Sequence, residues 1–186
     1  MSEIKVNKVS PATGTAFTLG DSGDTFTVPS GATITNSGTA TGFGGGKVLQ
    51  VVHTESGAVA TTTTVMPFDD TINTSSEGGE FFTLAITPAN VSNKLIIQSV
   101  LHYSHSAGST FCTANLYQDS TAASISTIGT TMERTATDQT RINGLHYMTA
   151  GTTSATTFKI RAGGNSGGRK GGGTLLSGMT IWELSA

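Results

Sequence analysis

The stretch Lys94–His105, "KLIIQSVLHYSH", is the one whose reading decides the fold. Side chains of an extended strand alternate between two faces. Leu95, Ile97, Leu101 and Tyr103 therefore share one side, and Ile96, Gln98, Val100 and His102 the other. Both sides carry apolar groups. A strand in a lone antiparallel sandwich keeps one side wet, so the second side here calls for a cover. A loop of the same chain or a neighbouring subunit would serve, and the expectation is the subunit.

Outward from this strand, residues 47–186 read as one β domain. The candidate strands are Lys47–Thr54, Val59–Met66, Glu80–Pro88, Lys94–His105, Thr110–Gln118, Ala123–Thr130, Arg141–Ala150, Ala155–Ala162 and Leu175–Leu184. Turn-rich stretches such as "NTSSEGG", "PANVSN" and "SAGS" part them. Short strands at fairly even spacing predict a jelly roll or other β-sandwich. Parallel βαβ units are not expected, because no amphipathic helix pattern of roughly 10–15 residues intervenes.

Composition agrees. Of 186 residues, 12% are charged and 35% hydrophobic, and the remainder is rich in threonine, serine and glycine. Threonine suits pleated surfaces and glycine suits turns. A formal net charge of -2 gives no footprint of a nucleic-acid binder. The single cysteine, Cys112, forms no internal disulfide framework. "MSEIKVNKVSPATG" has no apolar run of a signal peptide, and no stretch approaches the ~20 apolar residues of a membrane span. No membrane insertion is expected.

Residues 1–46 differ in texture. Three strand-sized scraps, "AFTL", "TFTV" and "ATIT", place Phe17 with Leu19, Phe26 with Val28, and Ala32 with Ile34. "GDSGD", "PSG" and "NSG" lie between and after them as turns. Rungs this short bury too little apolar surface in one chain to offset their ordering. Three chains wound about one axis would turn the same side chains inward and pair their backbones. The expectation is a trimeric β-stalk with Phe17, Leu19, Phe26, Val28 and Ile34 as its core, against the alternative of a hairpin folded onto the main domain. "TGFGGGK" (Thr41–Lys47) reads as the joint that follows it.

The chemical motifs come out weak. "GNSGG" (Gly164–Gly168) matches G-x-S-x-G, with Ser166 in the nucleophile position, but "GRKGGG" cannot form the helix that must follow. Gly163–Gly173 reads instead as a flexible loop with Arg169 and Lys170 at its tip, a candidate contact for an anionic glycan or a protein. "GGGK" fails as a phosphate loop, because Val48 stands where Ser or Thr is required and Thr41 where glycine is. His102 and His105, three apart on a strand, point to opposite faces. They could share an ion only across a bulge; a three-fold axis could instead collect one histidine from each chain, and the default is satisfied or exposed histidines. "DSGD" (Asp21–Asp24) and Asp69–Asp70 read as turns. Cys112 reads as a core thiol, and Trp182 as an anchor of the core or of a subunit interface. No catalytic residue, metal or cofactor is assigned.

"VNKVSP" followed by "TLGDSGDTFTVPSGATITNSGTATGFG" resembles the opening of virion structural and tail-fibre-like proteins of marine bacteriophages. The likeness covers about the first quarter of the chain. "GKVLQVV", "NKLIIQSVLHYSHS" and "LLSGMTIWELSA" more weakly resemble the jelly-roll, tumour-necrosis-factor-like knobs that end trimeric phage fibres. The resemblance implies a homotrimer in a virion, assembled in the host cytoplasm. Residues 1–46 would then be a virion-anchoring stalk and glycine hinge, and 47–186 the head. It implies a fibre or adhesin that contacts the host, or alternatively a capsid decoration (cement) trimer, with a glycan depolymerase as the remaining option. The His-x-His iron motif of some phage fibres is not matched, because this chain has His-x-x-His at His102–His105.

Overall fold

A computed structural model describes residues 9–38, 47–106, 110–119, 121–133, 139–164, 168–170 and 175–186. The glycine joint at 41–46 and Ser166 lie outside the described residues. The chain divides into two compact units, Met1–Phe43 and Gly44–Ala186.

In the first unit the described residues form turns and no strand. The Asp24 N–H donates to the Asp21 carbonyl (3.1 Å), and the Ala32 N–H to the Pro29 carbonyl (3.0 Å). Each turn has Ser-Gly at its centre. Gly23 and Gly31 take φ of +98° and +85°, the sign that a type II turn demands at its third position and that glycine supplies without strain. The Asp24 carboxylate also accepts from the Asp21 N–H (2.8 Å), and Asn36 Oδ1 from the Gly38 N–H (3.0 Å). The turns predicted for "DSGD" and "PSG" are therefore present. The three scraps have no ladder hydrogen bonds among the described residues.

The second unit is all β. Its strands are β1 (Val48–Ser56), β2 (Thr61–Thr62), β3 (Gly79–Ile86), β4 (Lys94–Ser104), β5 (Thr110–Gln118), β6 (Ser126–Glu133), β7 (Thr140–Thr149), β8 (Thr156–Gly164), β9 (Gly168–Lys170) and β10 (Ser177–Leu184). One sheet runs β1–β10–β4, with β7 on the other side of β4; β9 pairs with the end of β4 and with β2. The second runs β3–β8–β5–β6. All pairings are antiparallel. The two sheets make a β-sandwich.

Alternation builds its core. The β4 row Leu95, Ile97, Leu101 and Tyr103 faces Phe158 and Ile160 of β8 and Leu116 of β5, with Met179 and Ile181 of β10 alongside, and all are buried. The inward row predicted for Lys94–His105 is thus observed. Cys112 is buried in the same core, as expected.

Two expectations need correction. Val59–Met66 is not a full strand: only Thr61–Thr62 pairs, and Met66 leaves the strand path to plug the outside of the other sheet. Gly163–Gly173 is not a loop throughout. Gly163 and Gly164 end β8, and Gly168–Lys170 is β9, where Arg169 pairs with Thr61 and with Ser104.

Candidate interaction surface

The outer faces of the two sheets carry different side chains. On β3–β8–β5–β6 the outward residues of β5 are Phe111, Thr113, Asn115 and Tyr117, and those of β8 include Arg161 and Gly163; the Phe111 ring stacks on Phe68 with centroids 4.7 Å apart. Segment 63–78 lies across them. The Met66 N–H donates to the Gly164 carbonyl (3.2 Å), and Met66 itself is 1% exposed. Asn115 Nδ2 donates to Asn73 Oδ1 (2.8 Å), and the Tyr117 hydroxyl to the Thr74 carbonyl (3.0 Å). Arg161 donates to the carbonyls of Glu77 (3.0 Å) and Gly78 (2.7 Å). Burial, and then the Glu77 carboxylate, push the Tyr117 hydroxyl up to about 12, so it remains a donor at every physiological pH.

The outer face of β1–β10–β4–β7 has no such roof among the described residues. Register aligns Val51 with Trp182, Trp182 with Ile96, and Ile96 with Tyr147. These four form one apolar row across four strands, about 14 Å long at the usual strand spacing. Val51 is 51% exposed and Tyr147 60%. The next row is His53, Thr180, Gln98 and Leu145, and Leu145 is 70% exposed. A shallow groove of about 370 Å³ follows, lined by His53, Glu55, Val100, His102 and Arg141 among others. In it the His53 ring sits 2.8 Å from Thr180 Oγ1 and 3.4 Å from the Glu55 carboxylate. Arg141 Nε donates to Asn143 Oδ1 (2.8 Å).

Beneath the apolar row, on the core side of β10, lies Glu183, 0% exposed. Burial alone would raise its carboxyl. Hydrogen bonds from Asn93, Gln50, and the amides of Ala89 and Asn90 outweigh that and hold it below the ordinary carboxylate range. The carboxylate ties the 88–93 connection to the last strand. Composition and pattern do not reveal this group, since a lone glutamate in "IWEL" looks like an outward position.

The residues singled out from the sequence fall as follows. Phe17, Leu19, Phe26, Val28 and Ile34 are 49%, 65%, 68%, 37% and 54% exposed. The backbone of Arg169 and Lys170 is held in β9. Trp182 lies on the bare face, not in the core. His102 is on that face too, while His105 is buried beyond the end of β4. His146 points inward from β7, half-buried, and burial lowers its pKa. Asp69 Oδ1 accepts from the Thr71 amide (2.9 Å) and hydroxyl (2.6 Å), the turn expected there. Among the described residues no three His, Cys, Asp or Glu side chains gather as a metal site.

No protein-family model and no curated protein matches the sequence. Among solved structures, the chain is similar to that of the Gx strain of infectious bursal disease virus at 13% identity and TM-score 0.43, over 72% of this chain and 32% of that one. It is similar to the VP2 subviral particle of the same virus at 10% identity and TM-score 0.40, again over 72% and 32%. It is also similar to dimeric latent PorU of Porphyromonas gingivalis at 10% identity and TM-score 0.40, over 79% of this chain and 14% of that one. The chain spans a third or less of the length of each, and likenesses this distant decide nothing about its activity.

Proposed function

We propose that the chain is a non-enzymatic structural protein of a bacteriophage particle. It is a homotrimer in which three N-terminal segments wind into a stalk rooted in other virion proteins. The head projects from the particle and contacts a glycan or protein of the host surface, with Arg169 and Lys170 as first candidates for the contact. The observation that carries this is the set of five apolar side chains, Phe17, Leu19, Phe26, Val28 and Ile34, left open to solvent on a run of well-formed turns. A single chain has no reason to order such a run unless sister chains cover it. The opening motif "VNKVSP" and the glycine-punctuated rungs after it support the phage address. The head's winding supports it further: the chain passes from β1 to β3, β4, β5, β6, β7, β8 and β10, changing sheet at every step but β5–β6, as a jelly roll does.

Sedimentation of the full chain tests the trimer. Wild type is expected at three times the chain mass, and the double variant Phe26→Glu, Ile34→Glu at one chain mass, because three buried copies of each charge would meet at the axis. A wild type that stays monomeric at tens of micromolar overturns the reading. Phages that carry a chain lacking residues 1–46 test the role. Loss of adsorption with sound particles supports the fibre, whereas fragile particles that adsorb normally point to a capsid decoration protein.

A further inference from the structure

The roof over β3–β8–β5–β6 carries a loop that is fastened from below and holds an aromatic ring out to solvent. Residues 67–73 close on themselves. Buried Asn73 donates from Nδ2 to the Pro67 carbonyl (3.1 Å) and accepts from Asn115 Nδ2 (2.8 Å). Asp69 Oδ1 braces the middle of the loop through the Thr71 amide and hydroxyl. Met66 at its base is buried, with its N–H on the Gly164 carbonyl. Yet Phe68 is 59% exposed. A ring held open on an ordered backbone has little left to lose in freedom when a ligand lands on it.

The ring's setting selects the ligand. Phe68 lies on Phe111 with the two planes 18° from parallel. Phe111 thus covers one face of Phe68, and the exposure belongs to the other. An anchor that enters a partner protein's pocket must stand out from its surface, whereas Phe68 lies flat and offers a face. Such a face carries negative potential and attracts weakly positive C–H groups. The C–H face of a pyranose is flat, of similar size and of that polarity. Charge narrows the class. Asp69 and Asp70 follow Phe68, both exposed, and residues 61–80 contain no lysine, arginine or histidine. An acidic sugar would be repelled, while the hydroxyls of an uncharged one can donate to these carboxylates.

We infer that Phe68, backed by Phe111 and flanked by Asp70, is a binding subsite for an uncharged hexose unit of a surface glycan. The inference rests on the reading of the head as the part that meets the host, and adds to it a place and a sugar class. Position agrees. β4 begins beside the chain's entry into the sandwich, since Lys94 pairs with Leu184 and Leu184 with Val48. It runs away from that point, and β5 follows after a short connection. Phe111, near the start of β5, therefore lies at the end of the sandwich remote from Val48, and Phe68 lies there with it.

Saturation-transfer nuclear magnetic resonance on the full chain tests it, with the methyl glycosides of galactose, glucose and N-acetylglucosamine and with glucuronic acid as the charged counterpart. The wild type is expected to pass saturation to the ring C–H protons of at least one uncharged glycoside. Phe68→Ala is expected to weaken that binding roughly fivefold or more, with unchanged far-ultraviolet circular dichroism, and Phe68→Tyr, which keeps the flat face, to retain it. Uncharged glycosides that show no more transfer with wild type than with Phe68→Ala overturn the inference. So does tighter binding of glucuronic acid than of all three. Phages that carry Phe68→Ala separate the site from its use. Normal adsorption, with sugar binding lost in solution, overturns the role in host contact and leaves the subsite standing. Lost adsorption without any sugar transfer to wild type makes the ring a protein contact and overturns the subsite.

Discussion

Among the described residues, the sandwich completes one of its outer faces with its own chain and leaves the other bare. Segment 63–78 closes the outside of β3–β8–β5–β6, and the sheet beneath is built to receive it: Gly163 leaves room for Met66, and Asn115, Tyr117 and Arg161 hold the segment by its amide groups. The outside of β1–β10–β4–β7 instead carries Val51, Trp182, Ile96 and Tyr147 in one row, with no segment laid over it among the described residues. The two faces differ in chemistry: one offers Asn115, Tyr117 and Arg161 as donors to a crossing segment, and the other a row of mainly apolar side chains.

The roof gives the largest effect by which to break the contrast. A Cβ on Gly163 would stand 2.9 Å from Met66 Cβ and 2.9 Å from the Thr64 carbonyl oxygen, closer than atoms pack. Gly163→Val is therefore expected to push the segment off the sheet, expose Met66, and cost about 3 kcal/mol or more. Urea denaturation measures it, and a proteolytic cut within 63–78 of the folded variant would locate the damage. A cost under about 1 kcal/mol would mean that the roof is loosely laid and the two faces are less different than they look.

Glu183 comes next, because it shows how the unroofed sheet is braced from within. Its folded-state pKa is lowered, so its contribution is fully present above the unfolded value near 4.5 and is lost as pH falls through the folded one. Glu183→Gln keeps one acceptor and sets an NH2 against donors. It is expected to cost about 1–3 kcal/mol at pH 7, and the gap to wild type should narrow below pH 4.5. Urea midpoints of the two proteins between pH 7 and 3 check this. A gap constant with pH would show that shape, not charge, makes the bond network.

Much of this arrangement was legible in the sequence, and the part that was not has a common cause. Strict alternation at Lys94–Ser104 gave the core row, and β5 begins and ends where turn residues said it would. "DSGD" and "PSG" carried their own turns, since glycine chemistry is local. Val59–Met66 misled because apolar residues destined for a roof look like those of a strand. Arg169 looked like a loop tip because its partner Thr61 is more than a hundred residues away. Glu183 was invisible for a similar reason: its donors come from 50, 89, 90 and 93. The apolar row exists only through the mutual register of four strands: the sequence singled out Ile96 and Trp182, but nothing in it placed Val51 and Tyr147 beside them.

The smallest effect is the sharpest test of the bare face. Tyr147 is 60% exposed in the single chain, on a strand at the flank of the sheet, and its hydroxyl has no hydrogen bond among those seen. If nothing in its own chain depends on it, Tyr147→Lys removes little beyond a modest preference of aromatic residues for strands. At concentrations low enough for the chain to run as a monomer, its urea midpoint is expected to shift by under about 0.5 kcal/mol, as surface changes do. At concentrations that favour the oligomer, the same lysine enters an apolar contact in every copy, and its effect should grow with protein concentration, because the loss is one of association and not of folding. A large cost that is independent of concentration would place Tyr147 in a contact within its own chain. The two outer faces would then both be closed from within, and the contrast between them would be gone.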